Sequence, residues 1–258
     1  MARRDVSVSA KGERLWDSPA RIEGLEPRLL LSSHPLVTAG YLSIGNVWEY
    51  DARLAIVNGM PVDEQGSMTK TVTAAEQVNV PAGPYDTHRV ELDLDFGAYG
   101  NLSETWNAFF ESDATVVLAR YASEPEGKIL EVSNGTPMAM LPGSVDSGDS
   151  DRLVSAGWAA GEQYGNPSVT WTETASNYVT YLKQETITVP AGQFDCTKVL
   201  VRYDWQDDRG NLGYDLKTIW VDPDVGWIRG VRLSFYENFE GHTGVGYSYA
   251  FALDSFDL

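Results

Sequence analysis

Glu76-Gln77-Val78-Asn79-Val80-Pro81-Ala82-Gly83-Pro84-Tyr85-Asp86-Thr87-His88-Arg89-Val90 returns 109 residues later as Glu185-Thr186-Ile187-Thr188-Val189-Pro190-Ala191-Gly192-Gln193-Phe194-Asp195-Cys196-Thr197-Lys198-Val199. In each copy two runs rich in β-branched and aromatic residues flank Pro-Ala-Gly. Proline presets the backbone for a turn and glycine admits a positive φ, so the pattern reads as a β-hairpin. At a spacing of 110, Gly100-Asn101-Leu102 falls on Gly210-Asn211-Leu212, Phe110 on Trp220 and Trp48 on Trp158. One residue gained in a turn is what two copies of one structural unit accumulate.

Working outward, the chain continues as strands and turns with few patterns of helical period. Val245, Tyr247, Tyr249, Phe251 and Leu253 alternate with Gly246, Ser248, Ala250 and Ala252, the period of two expected of a strand with one face on a core. Val225, Trp227, Val231, Leu233 and Phe235 alternate similarly one strand earlier, with Gly230 as the expected bulge or close-packing point. The expected fold is all-β: two tandem copies of a roughly six-stranded antiparallel meander, each a curved sheet or half-barrel. Unit one spans 41–141 and unit two 152–258, either separate or packed as one domain. Residues 142–151, Pro142-Gly143-Ser144-Val145-Asp146-Ser147-Gly148-Asp149-Ser150-Asp151, read as an acidic linker, and residues 1–40 as a flexible tail, loosely packed to about residue 38.

The hairpins also suggest a register. With a four-residue loop, Val189 faces Phe194, Ile187 faces Cys196 and Glu185 faces Lys198; the first copy sets Val80 opposite Tyr85, Val78 opposite Thr87 and Glu76 opposite Arg89. Glu76–Arg89 and Glu185–Lys198 are therefore expected as structural pairs that oppose a register slip, rather than as catalytic groups.

Composition narrows function by exclusion. Among 258 residues, 37 acidic and 19 basic side chains give a formal net charge of −18, unsuited to phosphate backbones, and no basic patch offsets it. Nucleic acid is not an expected partner. No apolar run is long enough to span a bilayer, and Asp5 to Asp17 is too polar for the core of a secretion signal. Cys196 is the single cysteine, which excludes an internal disulfide and a multi-thiolate metal centre; it reads as a small buried apolar residue. His34, His88 and His242 have no metal-binding helical spacing.

The carboxylates invite a calcium or glycosidase reading, yet turn chemistry covers them. Asp146, Asp149 and Asp151 miss the spacing of a calcium loop; Asp204, Asp207 and Asp208 precede Arg209-Gly210-Asn211, a hairpin turn; Asp222 and Asp224 flank Pro223. No Gly-x-Ser-x-Gly elbow is present, and Gly97, Gly100 and the 241–246 stretch lack the helix that completes a phosphate loop. No catalytic residue, metal ligand or cofactor is expected. Eight Trp and thirteen Tyr form an unusual aromatic supply. Trp227 and Tyr249 sit on the apolar parity of their strands, while Trp106, Trp171 and Trp205 are the possible ligand contacts.

Two resemblances follow from quoted residues. Gly24-Leu25-Glu26-Pro27-Arg28-Leu29-Leu30-Leu31-Ser32-Ser33 resembles the LEPR-XLL motif found near the amino termini of many bacterial surface or exported proteins, which implies an extracytoplasmic location without implying a chemistry. Gly45-Asn46-Val47-Trp48-Glu49-Tyr50, the Val-Pro-Ala-Gly-x-Tyr/Phe hairpins and Trp220-Val221-Asp222-Pro223-Asp224-Val225-Gly226-Trp227-Ile228-Arg229 resemble a family of uncharacterised bacterial extracytoplasmic β domains with a half-barrel look shared with lipoprotein carriers of the Lol type. The first copy departs from that pattern, since Glu111-Ser112-Asp113-Ala114-Thr115 replaces the Asp-Pro-Asp-Val-Gly turn.

The leading expectation is a non-catalytic exported or cell-surface module with a structural or interaction role and an unnamed partner. The alternatives are a binder or carrier of an apolar ligand in a curved-sheet groove, and a glycan-acting hydrolase with a carboxylate pair. An apolar ligand, a glycan or a surface protein are the corresponding partners.

Overall fold

The computed structural model describes residues 33–110, 115–124, 128–132, 138–146, 150–163, 166–237 and 243–258. They are nearly all strand, interrupted by two short 3-10 turns at Ala39–Leu42 and Gly97–Tyr99. The strands are β1 (Ser33–Pro35), β2 (Val47–Val57), β3 (Met60–Val80), β4 (Gly83–Asp95), β5 (Asn101–Phe110), β6 (Val116–Glu124), β7 (Lys128–Val132), β8 (Met138–Leu141), β9 (Ser144–Asp146), β10 (Ser150–Gln163), β11 (Asn166–Val189), β12 (Gly192–Asp207), β13 (Leu212–Asp222), β14 (Gly226–Glu237) and β15 (Thr243–Asp257).

Thirteen of these form one sheet in which β2 to β7 and β10 to β15 run as two antiparallel meanders. The meanders are joined where β7 meets β10 and where β15 meets β2, and β5–β6 pairing links the two ends of the strand order. The hydrogen-bonded sequence thus returns on itself, so most edges are paired. β8 continues along the edge of β6 that β7 uses, and β1 pairs with β9 in a separate two-stranded piece. The stretches 41–141 and 152–258 therefore contribute to a single ring.

Alternation explains which side chains face in. On β2, Trp48, Tyr50, Ala52 and Leu54 are buried while Glu49, Asp51 and Arg53 are exposed. β15 behaves as expected, with Tyr249, Phe251 and Leu253 buried. β14 does not. Its bulge lies at Ile228, between the pairs Val221↔Trp227 and Trp220↔Arg229, rather than at Gly230. A bulge shifts the side-chain parity by one, so beyond it Val231 is 42 % exposed and Arg232 turns into the interior. Gly230 is the close-packing point of the two expected alternatives: the Phe251 ring lies against its backbone.

The expected loose tail overlaps the fold at its end. Ser33–Pro35 pair with β9, and Leu36 (0 % exposed) and Val37 are buried, because these apolar side chains and Tyr41 fill one end of the barrel. Leu36 N donates to Gly143 O and Thr38 N to Pro223 O, fixing the segment there. The LEPR-containing stretch before Ser33 lies outside the described residues. In the expected linker, Pro142 and Gly143 are buried, Ser144–Asp146 forms β9 and Ser150 opens β10, while 147–149 lie outside the described residues.

Both Pro-Ala-Gly hairpins have a two-residue loop: Val80 pairs with Gly83 and Val189 with Gly192. Beyond the first residue of the neighbouring strand, where Val47 pairs with Thr71 and Ser150 with Thr180, β3 and β11 lose that partner, while β4 and β12 keep theirs as far as His88↔Ala108 and Thr197↔Val221. Each hairpin then continues as a two-stranded arm with Val80 or Val189 buried beside its loop. Where β3 and β11 lose their partner each carries one bulged residue, Thr73 in β3 and Leu182 in β11, again 109 residues apart. Bulges bend a strand and end its pairing, and the second arm curls back so that Ala191 N donates to Leu253 O and Phe194 meets the ring of Phe256.

Candidate functional site

The expected charge pairs do not form as drawn. Because the loops hold two residues rather than four, Glu76 lies opposite Thr87 and Glu185 opposite Cys196. The shorter loop arises at Gly83 (φ 127°) and Gly192 (φ 141°), whose positive φ returns the chain to the ladder directly after Pro-Ala. Arg89 faces Ala74 and is ion-paired to Glu91 at 2.9 Å, while Glu76 accepts from Asn107 Nδ2 at 2.7 Å. Glu185 and Lys198 do share a face, diagonally, and meet on one side chain. Trp220 Nε1 donates to Glu185 at 2.7 Å and Lys198 Nζ stands 4.3 Å from the Trp220 ring centroid. Lys183 at 2.6 Å and Trp220 hold the Glu185 carboxyl below its usual range by hydrogen bonding.

Of the three singled-out tryptophans, Trp106 is core: its Nε1 donates to Glu104 and its ring lies 5.6 Å from that of Trp227. Trp205 is half-buried with its indole over the bare backbone of Gly213. Trp171 pairs with Ala159 on β11, and its side chain lies outside the described residues. The acidic turns are closed locally: Asp207 accepts from the backbone N–H of Arg209 and Asn211, and Asp222 from those of Asp224 and Val225. Cys196 is buried, and burial pushes its thiol up to about 12. Among the described residues, no group of three or more His, Cys, Asp or Glu is placed to hold a metal, and no helix is long and apolar enough to cross a membrane.

What the pattern did not disclose is charge inside the barrel. Lys70 follows Met68 on the inward face of β3 and is 0 % exposed. Its Nζ donates to Tyr41 Oη at 2.6 Å and sits 3.6 Å and 3.8 Å from the ring centroids of Trp48 and Tyr41. Burial holds this amine well below the ordinary lysine range, while the ring faces favour its cationic form. Tyr41 reaches it because Gly226 has no Cβ to meet the ring.

The second interior group links opposite walls. Arg232 on β14 donates through Nη1 to Glu104 on β5 at 2.6 Å, and through Nη2 to Asp215 on β13 at 3.0 Å. Lys217 lies directly across the ladder from Arg232. Burial alone would raise both carboxyls, but Arg232 and Lys217 outweigh it and hold Glu104 and Asp215 below the usual carboxylate range. Burial, reinforced by Arg232, lowers Lys217 to about 8. Tyr203 and Tyr247 complete the surround, Tyr203 Oη donating to Glu173 at 3.3 Å and the Arg232 guanidinium standing 5.0 Å from the Tyr247 ring centroid. A sequence signal existed: Glu104 precedes Trp106 by two on one strand and Lys217 precedes Ile219 by two on another, charges on an apolar parity.

Two spaces lie elsewhere among the described residues, and neither is lined by Lys70, Glu104, Asp215, Lys217 or Arg232. An apolar void of about 10 Å³, bordered by Tyr41, Val90, Trp106, Leu141 and Trp227, has room for roughly one water molecule. An open groove of about 540 Å³ runs along the outside between Asp51, Arg53, Arg229 and the Thr188–Pro190 tip.

No protein-family model and no curated protein matches the chain. Two solved structures are similar in shape: a candidate exported protein with a YmcC-like fold from Bacteroides fragilis, at 12 % identity and a TM-score of 0.41, and a candidate lipoprotein from Parabacteroides distasonis, at 14 % and 0.31. Each likeness covers 88 % of this chain and 100 % of the other. At such scores the likeness assigns neither a family nor an activity.

Proposed function

We propose that the chain is a non-catalytic exported β module that acts by interaction. The observation that carries this reading is the state of the buried carboxyls. A general acid needs a pKa raised toward the working pH, whereas Arg232 and Lys217 hold Glu104 and Asp215 in the opposite direction. These acids serve as anchors between walls. Incubation with a panel of chromogenic glycosides should give no turnover above buffer; hydrolysis abolished by Glu104→Gln or Asp215→Asn in a folded protein would restore the hydrolase reading.

The apolar-carrier alternative has less support, since an apolar guest beside Asp215 and Lys217 would strip water from charged groups and return no hydrogen bond. The extracytoplasmic location rests on the LEPR-XLL resemblance of residues 24–33, and fractionation of the producing cells tests it: recovery in the cytoplasm would contradict it. The matching turn registers and the bulges at Thr73 and Leu182 further support an internal duplication, in which the six strands β10 to β15 repeat the pattern begun at β2.

A further inference from the structure

We propose that the interior around Arg232, Asp215 and Lys217 is a binding chamber for a small neutral polyhydroxylated molecule, either a free sugar or the end of a glycan chain. This rests on the non-catalytic interaction reading and names the chemistry of its ligand. The chamber is bounded by inward-facing side chains that nevertheless keep accessible surface. Tyr203, Lys217, Ser234 and Tyr247 are half-buried and the Asp215 side chain is 17 % exposed. Side chains that point into a barrel and still touch solvent border internal space. Tyr203 and Ser234 both lie opposite Asp215 in the ladder, so they stand round one point.

The polar atoms at that point are incompletely matched. Arg232, whose side chain is 7 % exposed, uses Nη1 and Nη2 on carboxylates but leaves Nε without a partner; Asp215 uses Oδ2 on Arg232 but leaves Oδ1 without one. Buried polar atoms are nearly always satisfied. One is a donor and the other an acceptor, and a hydroxyl group is the small function that serves both at once. Among the described residues Lys217 Nζ is drawn by the charges of Asp215 and Glu104 without a hydrogen bond, and adds donors for further hydroxyl oxygens. Charge decides against an ionic guest. Glu104 and Asp215 balance Arg232 and Lys217, so an added anion or cation would stand uncompensated in a low-dielectric interior.

The test is saturation-transfer NMR and calorimetric titration of the full chain with glucose, galactose, mannitol and maltotriose. At least one should bind, and Lys217→Met and Asp215→Asn should each weaken it tenfold or more, with Lys217→Arg retaining more affinity than Lys217→Met. Arg53→Ala, in the outer groove, should leave it unchanged. Binding of maltotriose but not of glucose identifies a glycan end, and the reverse a free sugar. Unfolding midpoints of each variant are measured alongside; Ser234→Leu, which adds bulk beside Asp215 and removes the hydroxyl that bonds it, should abolish binding in a folded protein, whereas Ser234→Ala, which removes the hydroxyl alone, should not. Absence of binding by every probe, or affinity indifferent to Lys217→Met and Ser234→Leu, overturns the chamber. Turnover of a bound sugar would appear as new product signals and would instead overturn the non-catalytic reading.

Discussion

Single residues carry the unusual energetics of this protein. Arg232→Met leaves Glu104 and Asp215 buried without their counter-charge, and breaking a buried pair from one side costs about 3–5 kcal/mol; denaturant unfolding should show a loss of that order. Replacing both Glu104 and Arg232 by apolar residues of similar volume should recover part of it, because no charge is then stranded at that pair. Gly226→Ala should unseat Tyr41 from Lys70, since the glycine has φ 96° and its missing Cβ is where the ring lies; a cost of about 1–3 kcal/mol is expected. The lowered Lys217 pKa sets a pH dependence. Between about 8 and the ordinary lysine value of 10.5, the unfolded chain holds a proton that the folded chain has released. Stability therefore rises with pH from about 8 toward 10, by at most about 1.4 kcal/mol per unit from Lys217, and Lys70, also held low by burial, adds a rise of the same sign. Above 10 the buried tyrosines oppose it: burial pushes Tyr249 to about 12, so the unfolded chain loses that proton first. Lys217→Met should reduce the rise, leaving the Lys70 part, without removing the fall.

At the scale of elements, the two-residue Pro-Ala loops fix the arms. Gly83→Ala and Gly192→Ala place a Cβ on backbones at φ 127° and 141°, and each should lose about 1–3 kcal/mol, measured as a shift in the unfolding midpoint. Existence and type of these hairpins were legible because Pro-Ala-Gly between β-branched runs leaves little else to form. The loop length was not, since the same residues accommodate two or four, and that choice decides whether Glu185 meets Lys198 or Cys196. The interior charges were hidden for a related reason. On β14 the apolar run suggested Val231 faces in, yet one bulged residue at Ile228 exchanges it for Arg232. Periodicity reports the average face of a strand; it does not report where the count slips.

For the whole molecule, ring closure depends on β15 meeting β2 and β5 meeting β6, pairings that link the two meanders and the two ends of the strand order. Meander neighbours are local in sequence and could be read from it; the β15–β2 pairing joins residues about 200 positions apart and left no local mark. Glu104–Arg232 and Trp106–Trp227 then connect walls that belong to different meanders, so the ring should unfold as one cooperative unit. Residue-resolved carboxyl and amine titration by NMR tests the account most directly. Glu104 and Asp215 should titrate below the usual carboxylate range and Lys217 near 8, the state of a charge-balanced chamber. A Glu104 or Asp215 carboxyl titrating near neutral pH, poised to give up a proton, would contradict it.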